Sequence, residues 1–259
     1  MNEATIQRLA DINRQFYQSF ALQFSKTRQR IQPGVHKIIE MIPPDARILD
    51  LGCGNGELWR TLVQHGFTGT YIGLDYSPVL LNEARKLPSE FEEAGPAKKP
   101  VFIQSDLVSA DWDAALTALT ADSETDELSI PLRFDFIFLF AVLHHIPGND
   151  LRRDILEKSK SHLKAGGQVV LSVWQFLNSE RLQNRIQPWE KAGLTPQEVD
   201  PGDYLLDWRE GGEGLRYVHH FTQEELADLA NQTGYNIQQT FYSDGHEGNL
   251  GLYQIWMGE

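Results

Sequence analysis

The chain has a single cysteine, Cys53, so no internal disulfide can form. It is also short of positive charge: 23 lysines and arginines stand against 36 aspartates and glutamates, a formal net charge of −13. That balance excludes a general basic surface of the kind that coats nucleic acid, while leaving room for a local basic patch or a basic partner. Long hydrophobic runs are missing too. The most apolar stretch, Phe134 to Leu143, is interrupted by Asp135 and is far too short to span a membrane. The first ten residues are polar and mixed in charge, without the apolar centre of a secretory signal. No repeat and no heptad array is present. These absences predict a soluble cytoplasmic protein in a reducing compartment, with no membrane partner.

The 259 residues, 41% of them hydrophobic, suffice for one large domain or one domain with an inserted cap. The stretch that organises the chain is Ile48-Leu-Asp-Leu-Gly-Cys-Gly-Asn-Gly56. Ile48, Leu49 and Leu51 suit a buried parallel strand, and Gly52, Gly54 and Gly56 follow in alternation. Glycine tolerates positive φ and lets a ligand lie against bare backbone. Strand, glycine turn and helix start together make a nucleotide-type cradle. Glu57 stands where a dinucleotide fingerprint needs its third glycine, and no Gly-Lys-Ser/Thr follows, so neither that motif nor a P-loop is present. The plain alternative is a tight turn with no ligand. Cys53 reads as a small residue fitting that turn; a nucleophile is the other reading.

In order, residues 4–31 predict a helix, with Leu9, Ile12, Phe16, Phe20 and Phe24 on one stripe. This segment is locally basic in an acidic chain. Pro33-Gly34 is read as a breaker, and a helix over 35–42 follows. Then strands and helices alternate. Strands are expected at 47–51, 70–75, 101–106, 134–140 and 168–174. Helices are expected near 57–65, from Ser77-Pro78, over 112–120 and over 149–163. This pattern predicts a doubly wound sheet. A helix at 222–233 opens on a Thr222/Glu225 capping box. Strands at 236–243 and 250–257 form a hairpin, which makes the last strand antiparallel. Residues 107–133, with Asp122, Glu124, Asp126 and Glu127 close together, read as an exposed excursion. Residues 175–220 are too long for a connection and read as a functional cap. The expected division is a helical lid at 1–44, the core at 45–174, the cap at 175–220, and 221–259 completing the sheet.

Ligands of a doubly wound sheet lie at the carboxyl ends of its strands, here marked by Asp50, Asp75 and Asp106. Asp75, about twenty positions after the glycine turn, suits the two hydroxyls of a ribose. A charge at a helix N-terminus is its plainer role.

The spacing Asp50-x-Gly-x-Gly-x-Gly56 resembles motif I of the class I S-adenosylmethionine (SAM) methyltransferases. The resemblance implies a Rossmann-like α/β seven-stranded sheet, the last strand antiparallel, with SAM as cofactor. It implies cofactor contacts from Asp50, Gly52, Cys53, Gly54, Asn55 and Gly56, from Asp75, Tyr76 and Ser77, and from Asp106 and Leu107 at the adenine. Phe140 and Ala141 would line the adenosine and sulfonium end. Lys164-Ala-Gly-Gly167 resembles the family's turn before strand five, with Ala165 where proline is usual.

Three further stretches resemble the tRNA wobble-uridine methyltransferases, which esterify a 5-carboxymethyl group in the anticodon loop. They are Phe16 to Arg28, Ala141-Val-Leu-His-His145 with Arg152-Arg153, and Gly202 to Trp208 with Tyr217 to Leu226. Asp207 stands where those enzymes carry proline. The resemblance implies tRNA as acceptor and a small zinc-binding activating subunit as partner. It implies catalytic roles for Tyr17, Arg28 and His145, Arg28 as a bidentate donor to a carboxylate. Trp174, Asp203, Trp208, Arg209, Tyr217 and His220 form the substrate set, with core packing the alternative for several. His144, His145, His219 and His220 have no cysteine pair or intervening acid, so no metal site is expected. A small-molecule acceptor, and a SAM-binding scaffold without catalysis, are the competing functions.

Overall fold

The computed structural model describes residues 1–27, 31–91, 98–121, 132–209 and 212–258. Its centre is a seven-stranded sheet built from β1 (Arg47–Leu51), β2 (Thr70–Asp75), β3 (Val101–Gln104), β4 (Phe134–Phe140), β5 (Leu163–Trp174), β9 (Tyr235–Ser243) and β10 (Gly251–Gly258). The order is β3-β2-β1-β4-β5-β10-β9. The first five strands pair in parallel, while β10 runs antiparallel to both β5 and β9. The predicted sheet and its reversed final strand are therefore present.

Alternating side chains of these strands feed two cores. Leu49, Leu51, Leu74, Ile137 and Leu139 face α6 (Asn149–Ser161) and α8 (Gln223–Gln232), with Ile155, Leu156, Leu226 and Leu229 completing that layer. Ile48, Tyr71, Phe138 and Val170 face the other side, against α2 (Pro33–Ile39), α3 (Glu57–Gln64) and α4 (Pro78–Ala84). This period-two partition makes the sheet doubly covered. Asp50 lies on the same side as Ile48, which puts a carboxylate inside the second core.

Local signals hold in detail at several helix starts. Ser77 caps α4 by accepting from the Leu80 N–H at 3.3 Å, with Pro78 at the first helical position. Thr222 accepts from the Glu225 N–H at 3.1 Å. The return half of that capping box is absent, because the Glu225 carboxylate turns to His219 at 2.7 Å. Pro33-Gly34 does not break a helix but opens α2, with Pro33 in the first turn. Gly34 is needed there: a Cβ would stand 2.3 Å from the Tyr253 ring. In β5, Lys164 to Gly167 bulges out, since Phe134 pairs with Leu163 but Phe136 with Gln168. Helix α5 covers Ala114–Ala121, and the acidic cluster after it lies outside the described residues.

Two elements sit over this core. Helix α1 (Glu3–Thr27) buries Leu9, Ile12, Phe16 and Phe20; the side chain of Phe24 is outside the described set. The interval 175–220 holds a short α7 (Glu180–Gln183) and a second, antiparallel sheet of β6 (Ile186–Gln187), β7 (Asp203–Trp208) and β8 (Gly214–His219). Leu9 and Ile12 of α1 pack on Leu205 and Tyr217 of this small sheet. Among the described residues no helix is long and apolar enough to cross a membrane.

The small sheet is fastened to α6 by a buried polar network. Arg152 donates to the Ile146 carbonyl at 2.9 Å and the Tyr217 hydroxyl at 3.0 Å. That hydroxyl donates to Asp203 at 2.7 Å, and His219 bridges Asp203 and Glu225, 2.7 Å from each. The Arg152 guanidinium also lies 4.9 Å from the centre of the Phe221 ring. Removing one partner of such a group strands a buried charge. Asp203→Ala is expected to lower stability by about 3–5 kcal/mol, a fall in melting temperature on the order of 10 °C. Thermal unfolding followed by circular dichroism checks this, and an unchanged melting temperature would show the network to be idle.

Candidate active site

The strand ends and the glycine turn enclose one side of a cavity of about 280 Å³. The turn is held from below: the Gly52 and Cys53 N–H groups both donate to the Leu74 carbonyl, at 2.7 and 3.0 Å. Gly52 has φ +79° and a Cβ there would meet Val142 at 2.5 Å, so only glycine fits. Gly54, at φ +55°, is different: a Cβ would find no protein atom within 4 Å. The space over Gly54 is open to the cavity it lines.

Asp75 ties the turn to α4. Its two oxygens accept from the Gly54 N–H at 2.9 Å and the Ser77 N–H at 2.8 Å. Burial pushes its carboxyl up from the ordinary value, and the two N–H groups pull against that. Asp50, one strand over, accepts a very short hydrogen bond from the buried Tyr71 hydroxyl. Burial raises its carboxyl from 3.8 to about 7, with Tyr71 opposing and the Asp75 charge adding to the rise. Burial, then the charges of Asp75 and Asp50, push the Cys53 thiol far up. It stays protonated, as a small turn residue and not a nucleophile.

At the other side, Asp106 accepts from the Val108 N–H at 3.0 Å through one oxygen. The other oxygen accepts from Arg14 Nε at 3.0 Å and a terminal guanidinium nitrogen at 2.7 Å. Burial opposes the Arg14 charge, and hydrogen bonds and charge from Asp106 and Asp11 outweigh it and raise its pKa. Gln18, one helical turn on, donates to the Tyr76 hydroxyl at 3.0 Å. At the end of β4, Ala141 takes φ +56°, a strained left-handed conformation for a residue with a Cβ. Its N–H is shared between the Ser172 carbonyl and hydroxyl, both at 3.0 Å. Beyond it, His145 Nε2 lies 3.1 Å from the Tyr17 hydroxyl and Nδ1 lies 3.2 Å from the Tyr217 carbonyl.

The structure thus gathers the expected cofactor residues around one space, together with Tyr17 and His145. Gly56 is the exception; it starts α3 and packs under Ala84, Leu87 and Phe102. Arg28 lies outside the described residues. His144 is buried behind His145 and accepts from the Trp174 N–H at 3.3 Å. The substrate set does not line the cavity. Asp203 and Tyr217 belong to the buried network on α6. Trp174 stacks on the Arg216 guanidinium, 4.8 Å from its ring centre, and Trp208 packs edge-on against Phe16. Arg209 pairs with Asp207 at 2.7 Å. His220 abuts Phe176, with Nδ1 buried and without a partner among the described residues. Asn13 and Arg14 are cavity residues that the sequence reading does not single out. Their position, four and three residues before Tyr17 and so on the same helical face, is the signal that was available.

Asp50 gives this site a pH signature. Its carboxyl is lifted from 3.8 to about 7 in the folded chain, so folding favours the protonated form. The penalty for the buried charge grows as pH rises through that window and is constant above it. Replacing the group by an amide removes the penalty. The melting temperature of Asp50→Asn relative to the parent is expected to climb from about pH 4 to about 7 and then level. A difference that stays flat in a calorimetric pH series would sink this account.

Comparison with known proteins agrees with the geometry. A family profile described as "Methyltransferase domain" matches residues 24–240. A tRNA (carboxymethyluridine(34)-5-O)-methyltransferase of Schizosaccharomyces pombe is 26% identical over 88% of this chain and 90% of its own length. The enzyme of that name from Arabidopsis thaliana is 29% identical over 61% of this chain, which spans only 31% of that longer protein. Among solved structures, a SAM-dependent methyltransferase from Methanosarcina mazei superposes with a TM-score of 0.60 at 22% identity, covering 88% of this chain and 98% of the other. The magnesium protoporphyrin IX methyltransferase of Synechocystis, solved with bound SAM, superposes at 0.59 with 14% identity, covering 100% and 98%. The cavity fits that cofactor: bare backbone at Gly54 leaves room for it, and each Asp75 oxygen keeps a lone pair for a hydroxyl. This chain belongs to the methyltransferase domain family and is a class I SAM-dependent methyltransferase.

Proposed function

We propose that the chain esterifies the carboxylate of a 5-carboxymethyl wobble uridine in tRNA. The observation that carries this reading is the reach of the similarity to enzymes named for that reaction. It extends over 88% of the chain for the Schizosaccharomyces pombe protein, more than residues 45–174 can supply, and so takes in lid or cap. On this reading residues 1–44 serve as the lid, 175–220 as the substrate cap, and 221–259 complete the sheet. The cofactor supplies an electrophilic methyl group, which a carboxylate oxygen takes in line as the carbon–sulfur bond breaks and its electron pair stays on sulfur. The products are a methyl ester and S-adenosylhomocysteine.

A carboxylate arrives without a proton, so the site needs no base for it. What it needs is position and exclusion of water. The roles follow from that need. The glycine turn, Asp50 and Asp75 hold the methionine and ribose parts, and Asp106 the adenine. Arg14 and Gln18 close the lid helix over this end, each by a hydrogen bond to a cavity residue. Tyr17 and His145 wall the acceptor end. Arg28, which follows α1 in sequence, is the cation proposed for the acceptor or cofactor carboxylate. Trp174 at the end of β5 and the cap residues Trp208, Arg209 and His220 would meet the anticodon loop, and a small activating subunit would supply basic charge.

The net charge of −13 favours a second reading, a small-molecule acceptor held by the same lid. An acceptor carrying a hydroxyl proton would use His145 as base. Incubation with methyl-labelled SAM, bulk tRNA and a small-metabolite extract separates the two. Label in tRNA that mild alkali releases, as it releases a methyl ester, is the expected outcome. Label in the metabolite fraction alone would replace tRNA by a small molecule. Binding of SAM without any transfer, with a candidate activating subunit also supplied, would leave a cofactor-binding scaffold.

A further inference from the structure

Asn13 is buried, 7% exposed, and its side-chain amide is bonded only to backbone. Nδ2 donates to the carbonyls of His145 and Tyr217, both at 3.1 Å, and Oδ1 accepts from the Tyr217 N–H at 2.9 Å. One side chain on the lid helix therefore holds residue 217 by both its N–H and its C=O. The same Tyr217 carbonyl lies 3.2 Å from His145 Nδ1. A carbonyl can only accept, so that nitrogen carries a proton, and in the neutral ring Nε2 keeps its lone pair. In that neutral tautomer the Tyr17 hydroxyl, 3.1 Å away, donates to Nε2.

We propose that Asn13 is a positioning residue for methyl transfer: from the lid helix it fixes the Tyr217 carbonyl, and through that carbonyl the tautomer and place of the His145 ring. The proposal rests on the reading of His145 as an acceptor-side residue. Fastening α1 to the small sheet does not by itself call for an amide. Leu9 and Ile12 on the same helix already do it with apolar contacts. A buried amide with all three bonds made to the backbone of two residues instead specifies direction, which apolar packing does not. Asn13 and Tyr17 lie one helical turn apart, so a single rigid element sets the ring from both nitrogens.

The test uses the full chain labelled with nitrogen-15 at histidine, SAM added, and bulk tRNA as acceptor. Asn13→Asp keeps the size of the side chain and removes its ability to donate to the two carbonyls. The ring nitrogens of His145, assigned by their loss in His145→Ala, are expected to leave the Nδ1–H pattern in Asn13→Asp. Turnover on tRNA is expected to fall roughly tenfold to a hundredfold. The dissociation constant for SAM stays within about twofold, because the Arg14–Asp106 contact is untouched. The fall is absent when Asn13→Asp is made in the His145→Ala background. An unchanged ring pattern, or an equal fall in that background, overturns the proposal. A shifted ring pattern with His145→Ala as active as the parent would instead refute the acceptor-side reading, and with it the link to transfer. Asn13→Ser, smaller and uncharged, answers the same question should Asn13→Asp not fold. The ring pattern is read whether or not tRNA is the acceptor.

Discussion

Asp75 is the fixed point of the cofactor cradle. It ends β2, is half-buried, and joins the glycine turn to the start of α4 through the Gly54 and Ser77 N–H groups. Without it two backbone donors would be left unpaired inside the fold, at about 1–3 kcal/mol each. The rest of the cradle follows from that tie. Gly52 and Cys53 are drawn under the Leu74 carbonyl of the same strand. Gly73, one residue earlier, has no side chain because Cys53 Sγ would sit 2.7 Å from its Cβ. The turn thus lies flat on β2, and Gly54 presents its bare backbone upward. The cost is a cluster of carboxylates in a desolvated place, visible in the raised values of both Asp50 and Asp75. A cationic ligand offsets that repulsion, and SAM carries cationic charge at both its sulfonium and its amino group.

Helix α1 has two different faces that make two different kinds of contact. Its apolar residues, Leu9, Ile12, Phe16 and Phe20, bury against the small sheet and the β7–β8 hairpin. Burial of side chains of this size contributes about 1.5–3 kcal/mol each, so this attachment is firm. The polar residues, Arg14, Tyr17 and Gln18, reach the core across the cavity. The Arg14–Asp106 pair has side chains 22% and 26% exposed, and pairs that reach solvent contribute about 1 kcal/mol or less. The helix is therefore strongly bound to the small sheet and weakly bound over the cavity. Entry and exit of a ligand that touches Asp106 need break only the weaker set.

Much of the core could be read from the chain because its signals are local. The glycine turn, the carboxylates at strand ends, the Ser77-Pro78 start and the hairpin at the end depend on residues within a few positions of each other. The small sheet could not be read so directly. Residues 175–220 announce an insertion by length, but the pairing of β7 with β8 is set by contacts between the two strands and not by a local signal. The bulge at Lys164 to Gly167 was legible only as a turn, since it takes the register of β4 against β5 to show that the strand resumes. Cys53 illustrates the reverse case: a residue type that invites a chemical reading is silenced by burial beside two carboxylates.

The site residues that escaped the pattern are those whose partners are remote. Arg14 meets Asp106 across 92 positions, and Asn13 meets His145 across 132 and Tyr217 across 204. Nothing in a helical stripe distinguishes an asparagine that faces solvent from one that holds the backbone of two distant residues. The distinction is made by the small sheet, which presents the edge of Tyr217 to α1 because β7 pairs with β8 and Arg152 anchors them to α6. Asp203 and Tyr217 thus bear on the site through architecture: they touch no part of the cavity, yet they hold the strand whose carbonyl orients the histidine that does. Sequence resemblance can mark such residues as belonging to a function, but only the packed structure tells a residue that meets the acceptor from one that keeps another residue in place.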